Sequence, residues 1–256
     1  MCLRCLLPMI GVLCWAVNPI RAETLVESSA ETRFQLDLHV PDATLNALLP
    51  PGWRLSVATQ GPAKGANLRV IFVDRLTING PDGKPAGKTG SNRLVYLAAP
   101  AKDPAGKSAQ LVIGGLTEDP ADAPGPFSVY QPAATHRMER SVASGAVGLV
   151  ETQDWEFTSA TGEHLAMHIK FVRGSGTRRP ASDTLFYSAK DPALVQISRQ
   201  EQVLEILRNV TTNPSDRVTE FSFKGAGGSY AKLFDGTESV LSWDNIVWIN
   251  RSVLAP

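Results

Sequence analysis

The stretch WEFTSATGEHLAMHIKFV (residues 155–172) decides the fold class. After Thr161-Gly162-Glu163, Leu165, Met167, Ile169 and Phe171 alternate with His164, Ala166, His168 and Lys170. A period of two puts the apolar set on one side of an extended strand and the polar set on the other. Trp155 and Phe157 lie on the near side of the same glycine-containing turn, so the segment reads as a β-hairpin with one buried face.

Working outward, RFQLDLHV (33–40) repeats the alternation, and LRVIFVDRLTI (68–78) is a longer apolar strand. Further short strands are expected at 53–59, 93–98, 110–114, 127–138, 218–223 and 246–254, separated by loops rich in glycine and proline. Residues 23–31 are polar and read as a loose lead-in, and Gly174 to Arg179 reads as a loop. Two helices are expected. Pro41 to Leu49 places proline in a first turn and Leu45, Leu48 and Leu49 on one side. Ser198 and Glu201 have capping-box spacing ahead of Val203, Leu204, Ile206, Leu207 and Val210, with Asn213-Pro214-Ser215 as a stop. About ten short strands and two helices give a mainly β chain (β-rich α+β), arranged as an antiparallel barrel or sandwich.

The first residues follow the secretory-signal pattern: Arg4, an apolar run from Cys5 to Val17, and a small residue at Ala22, after which cleavage is expected. The run is shorter than the roughly twenty residues of a membrane span. Periplasmic or secreted localisation follows, with 23–256 as one domain and no membrane span after processing. All three cysteines, Cys2, Cys5 and Cys14, precede that cut, so the processed chain would have neither disulfide nor thiolate. Removing Arg4 and Arg21 leaves 23 basic against 25 acidic residues, a net charge of −2. That balance does not point to a nucleic-acid partner, which calls for a basic stripe.

Several segments resemble the acetoacetate decarboxylase superfamily: VPDATLNALLPPGW (40–53) followed by LRVIFVD (68–74); Gly125-Pro126-Phe127; LFYSAKDPALVQISRQEQVLEIL (185–207); and LFDGTESVLSW (233–243) before a closing strand. The resemblance spans most of the chain beyond residue 22. It implies a curved antiparallel barrel of about ten strands around an apolar pocket, with a short N-terminal helix and one helix in the C-terminal half. It also implies where the decarboxylase's adjacent lysines would fall, on GLVETQDW (148–155). No lysine stands there, none lies between Lys107 and Lys170, and no two lysines are adjacent. One member of such a pair forms a Schiff base because its neighbour's charge and a dry setting lower its pKa. The family's glutamate after the Gly-Pro turn would fall near Val129 and is also missing. The expected protein is therefore a relative without imine chemistry.

What remains for a site is a ligand-binding set of Tyr130, Arg137, Arg140 and Trp155, with Glu139 and Glu151 as candidate catalytic acids or bases. A pocket-facing arginine binds a carboxylate bidentately and an adjacent glutamate orients it; on a rim the same residues form only a solvated pair. Glu151, Asp154 and Glu156 cluster where the lysines would fall, and two carboxylates in a dry pocket would raise one pKa. His164 and His168 stand about 13 Å apart along a strand, too far to chelate one ion, so no metal and no cofactor is expected. Three readings stay open. The first is an exported barrel that binds a small carboxylate or ketone. The second is a lyase-like enzyme of altered acid–base mechanism. The third is an envelope interaction module with a filled pocket. A homo-oligomer is a possible assembly under any of them.

Overall fold

A computed structural model describes residues 23–122, 128–211 and 216–256. The signal pattern, the Gly125-Pro126-Phe127 turn and the stop at Asn213-Pro214-Ser215 lie outside the described residues. The described chain is mainly strand, built into one twelve-stranded sheet. In chain order these are β1 (Thr24–His39), β2 (Arg54–Leu55), β3 (Leu68–Asn79), β4 (Asn92–Lys102), β5 (Ser108–Thr117) and β6 (Tyr130–Gly145). They continue with β7 (Gly148–Ser159), β8 (His164–Val172), β9 (Thr177–Ser188), β10 (Val195–Asn209), β11 (Val218–Ala226) and β12 (Ser239–Ala255). One short helix, α1 (Asp42–Asn46), follows β1 as expected and buries Leu45.

The opening hairpin forms as read. β7 and β8 pair in antiparallel register with Trp155 opposite Met167 and Phe157 opposite Leu165, and Gly162 turns with φ of 91°. A left-handed φ is open to glycine because it has no Cβ. The apolar faces of β7 and β8 meet Phe34, Leu36, Leu38, Leu68, Val70, Phe72 and Val95 of β1, β3 and β4 in the main core. Each strand in that core alternates, so one face of β1 and β3 is committed to it and the other is turned away.

The other face is set by β5. One edge of β5 pairs with β4 along its length. Its opposite edge is shared: residues 110–112 pair in parallel with β9, and residues 115–117 pair in parallel with β6. Followed from β5 through β9, β10, β12, β1, β3 and β4, the pairings return to β5. β6, β7, β8 and β11 extend from this circuit as an antiparallel ribbon.

Four expectations are corrected. The strands number twelve rather than about ten, and β5 makes two parallel pairings. Residues 24–31 belong to β1, with Ser29 and Glu31 buried. Arg178 and Arg179 lie in β9, not in a loop. The helix expected in the C-terminal half, over 198–210, is strand β10. Leu204 and Ile206 pack with Ile246 and Ile249 on one face, while Leu207 enters the main core on the other. A strand buried on both faces reads as a dense apolar run, whose spacing mimics a helical stripe. The capping box dissolves as well: Ser198 is buried and Glu201 pairs with Arg178.

Candidate functional site

The polar residues of β1 occupy the face that the main core leaves free. Glu31 and Arg33 stand there, and the cavity they border draws a lining residue from every strand of the pairing circuit. β3 gives Val73 and Arg75, β4 gives Tyr96 and β5 gives Val112. β9 gives Phe186, β10 gives Gln196 and Ser198, and β12 gives Arg251. Tyr130 of β6 completes the lining. It can approach because Gly115 has no side chain: a Cβ there would lie 2.6 Å from the Tyr130 ring and 2.8 Å from the Val95 carbonyl oxygen. The free space is about 20 Å³, enough for about one water.

Charge dominates this small volume. Glu31 is 1% exposed and Arg75 is fully buried. Arg33 Nε donates to Glu31 Oε2 at 2.7 Å, and Arg251 Nε donates to Oε1 at 2.9 Å. Ser29 Oγ donates to Oε1 at 2.7 Å, and Arg75 Nε lies 3.4 Å from the same oxygen. Arg75 also pairs with Glu27 and donates from Nη1 to the carbonyl oxygen of Asp122 at 2.6 Å. Burial by itself would raise the Glu31 pKa, but Arg251, Arg33 and Arg75 more than reverse this and hold the carboxyl well below its usual range. For Arg75, burial and the like charge of Arg251 lower the pKa against Glu31 and Glu27. Burial also pushes the Tyr130 phenol far above its ordinary value. Three guanidiniums thus face Glu31 and the partly exposed Glu27, leaving one positive charge in excess. No lysine is among the lining residues.

A second polar group continues along β1 and β12. Asp37 accepts from Arg69 Nε at 3.0 Å and from Gln35 Nε2 at 3.0 Å. Ser242 Oγ donates to Asp244 at 2.8 Å. Burial first, and the charge of Asp37 next, push the Asp244 carboxyl up to about 7. The sign of the linkage is set by that rise. In the unfolded chain the group titrates near about 4, so its unfavourable contribution grows as pH rises from there to about 7 and is constant above. Asp244→Asn is expected to raise stability by up to about 4 kcal/mol at pH 8 and by far less at pH 4. Thermal melts of both proteins at the two pH values check this; an equal gain at each would refute the assignment.

The residues expected from sequence separate into three places. Tyr130 lines the cavity. Arg137 and Glu139 bond to each other on β6 at 2.9 and 2.7 Å, with side chains 57% and 60% exposed. Arg140, Glu151 and Trp155 meet in one network at the ribbon's packed face. Arg140 Nε donates to buried Glu151 at 2.6 Å, and Arg173 Nε lies 3.2 Å from the carboxylate's other oxygen. Gln153 Nε2 donates to Glu151 at 2.7 Å, and Trp155 Nε1 donates to Gln153 Oε1 at 3.0 Å. Trp155 packs 5.8 Å from the Phe72 ring in the main core. It also borders an open surface groove of about 190 Å³ with Arg137 and His168. His168 pairs with Asp154 at 2.8 Å, and His164 with Thr158 at 2.9 Å. Among the described residues no three potential metal ligands cluster, and no helix is long and apolar enough to cross a membrane.

Sequence reading passed over Glu31, Arg33, Arg75, Arg251, Tyr96, Gln196 and Ser198. A signal was present: Arg75 interrupts the apolar run of β3, and an arginine inside such a strand needs a buried anion.

The overall fold of the described chain is shared with solved acetoacetate decarboxylase-like enzymes. Among solved structures, an acetoacetate decarboxylase-like enzyme from Sphingomonas wittichii superposes with a TM-score of 0.56 at 12% identity, over 90% of this chain and 91% of that one. Acetoacetate decarboxylase from Legionella pneumophila gives 0.52 at 9% identity, over 90% and 87%. The enduracididine biosynthesis enzyme MppR, complexed with the condensation product of pyruvate and imidazole 4-carboxaldehyde, gives 0.52 at 12% identity, over 90% and 87%. No family model matches the chain, and no curated protein does.

Proposed function

We propose that this chain is an exported barrel protein that binds the carboxylate of a small acid or oxo acid and does not form an imine with it. The observation that carries the reading is the convergence of Arg33, Arg75 and Arg251 on a single buried glutamate in a cavity with no lysine in its lining. Guanidinium groups present paired N–H donors that match a carboxylate. The excess positive charge favours an anion, while the absent amine leaves no nucleophile for a ketone. The solved enzymes of this fold include one holding a pyruvate-derived product, which supports a small oxo acid as the ligand class. Barrel closure is our reading of the seven-strand circuit, and export is our reading of residues 1–22.

A second reading, an interaction module whose interior is filled by its own side chains, is favoured by the cavity's size of about 20 Å³. Entry of a three-carbon acid would require the cavity to enlarge. Thermal melts with pyruvate and with acetoacetate separate the two. Binding predicts stabilisation that grows with concentration, reaching about 2.7 kcal/mol at a hundredfold excess over Kd, and its loss in Arg251→Gln. No shift with either acid would leave the filled-interior reading standing. Borohydride treatment in the presence of either ketone is expected to label no lysine; a labelled lysine would overturn the proposal.

A further inference from the structure

The carboxylate of Glu31 is fully engaged before its third arginine is satisfied. Oε1 accepts from Ser29 and Arg251, and Oε2 accepts from Arg33. Arg75 Nε lies 3.4 Å from Oε1 but has no hydrogen-bond acceptor among the described residues. Its other two nitrogens are taken, Nη1 by the Asp122 carbonyl oxygen and Nη2 by Glu27. Arg75 is fully buried and lines the charged cavity. One donor of a buried cation therefore stays unpaired in the wall of a space of about 20 Å³, and a buried donor without an acceptor is costly.

Charge is the second, independent observation. Arg33, Arg75 and Arg251 stand against Glu31 and Glu27, which leaves one positive charge in excess. Glu31 is the one carboxylate in the cavity wall. A buried charge without a counter-charge is unfavourable. A water molecule would accept from Arg75 Nε and leave that excess untouched. A three-carbon acid would balance the charge, but it needs more room than about one water occupies. A monatomic anion meets all three conditions. It accepts hydrogen bonds from any direction, carries one negative charge and has roughly the dimensions of water.

We infer that the cavity is a site for one halide ion, seated against Arg75 Nε and balancing the arginine excess. The inference rests on the same excess charge as the acid-binding reading, but not on acid binding itself. Crystals of the full chain grown in sodium bromide locate the ion through its anomalous scattering, and a peak within hydrogen-bonding distance of Arg75 Nε is expected. In solution, bromide is expected to raise the Tm of wild type along a saturating curve, as binding to the folded state alone requires. Arg251→Met balances the charge and is expected to lose the saturating part. Sodium sulfate at equal ionic strength controls for screening. Where pyruvate binds, its apparent Kd is expected to rise about twofold when bromide equals its own Kd. A cavity without a bromide peak overturns the inference, whether or not Arg251→Met folds. So does a difference between wild type and variant that sulfate widens as much as bromide. Bromide in the cavity with no Tm response to pyruvate supports the halide site and sinks only the acid reading; a pyruvate response with no bromide in the cavity does the reverse.

Discussion

Glu31→Gln is expected to cost about 3–5 kcal/mol of folding free energy, the range for removing one partner of a buried ion pair. For a chain of this size that is a fall in Tm of about 10 °C or more. The substitution keeps the shape and removes the charge, so Arg33, Arg75 and Arg251 would face one another with only Glu27 nearby. Two controls identify the cause. Adding Arg251→Met removes one of the stranded cations and is expected to return part of the loss, a non-additivity that residues in contact show. Acid is the second control. Because the folded-state pKa of Glu31 lies far below its unfolded value, the carboxylate's stabilisation is complete above the unfolded pKa of about 4.3 and fades as pH falls below it. The gap between wild type and variant is therefore expected to narrow in acid. A variant that melts with wild type at pH 7 would show that the charge cluster does not hold the strands together.

Trp155→Ala is expected to cost a similar about 3–5 kcal/mol, for a different reason. The indole is 2% exposed, packs against Phe72 and donates to Gln153. Alanine leaves a cavity in the main core and an acceptor without its donor. Trp155→Phe keeps most of the ring and loses the hydrogen bond, so its expected cost is about 1–2 kcal/mol. Denaturant unfolding of the three proteins measures both. Trp155 is not among the residues lining the charged cavity, so Trp155→Phe is expected to leave any stabilisation by pyruvate or acetoacetate unchanged. A ligand response lost in Trp155→Phe would return this residue to the binding wall.

Much of the sheet was legible because alternation is a local property. RFQLDLHV and the 155–172 hairpin place Phe34, Leu36, Leu38, Trp155 and Phe157 in the core as their spacing demands. β10 was misread because both its faces are covered, and coverage depends on strands distant in sequence. The site was illegible for a related reason. The polar side of β1 looks like a solvent face when read alone: Arg33 becomes an interior residue only because β5 exchanges β6 for β9 and brings β9, β10 and β12 around it. Tyr130 was found through its place beside a recognised turn. Arg137 and Glu139 stood out because they are dense in charge, which is equally the mark of an exposed strand.

The pairing of β1 with β12 ties Thr24 to Ala255. Contacts between residues this far apart in the chain set a slow tempo, since the loop entropy must be lost before any ladder forms. Until the last seventeen-residue strand arrives, β1 and β10 each lack a neighbour, and Arg251 is missing from the cluster around Glu31. The half-made protein is thus an open-edged body, exposed to the pairing errors that unpaired strands invite. Completion of the final strand supplies both the missing ladder and the third guanidinium, so acquisition of shape and the positive excess of the interior arrive in one event.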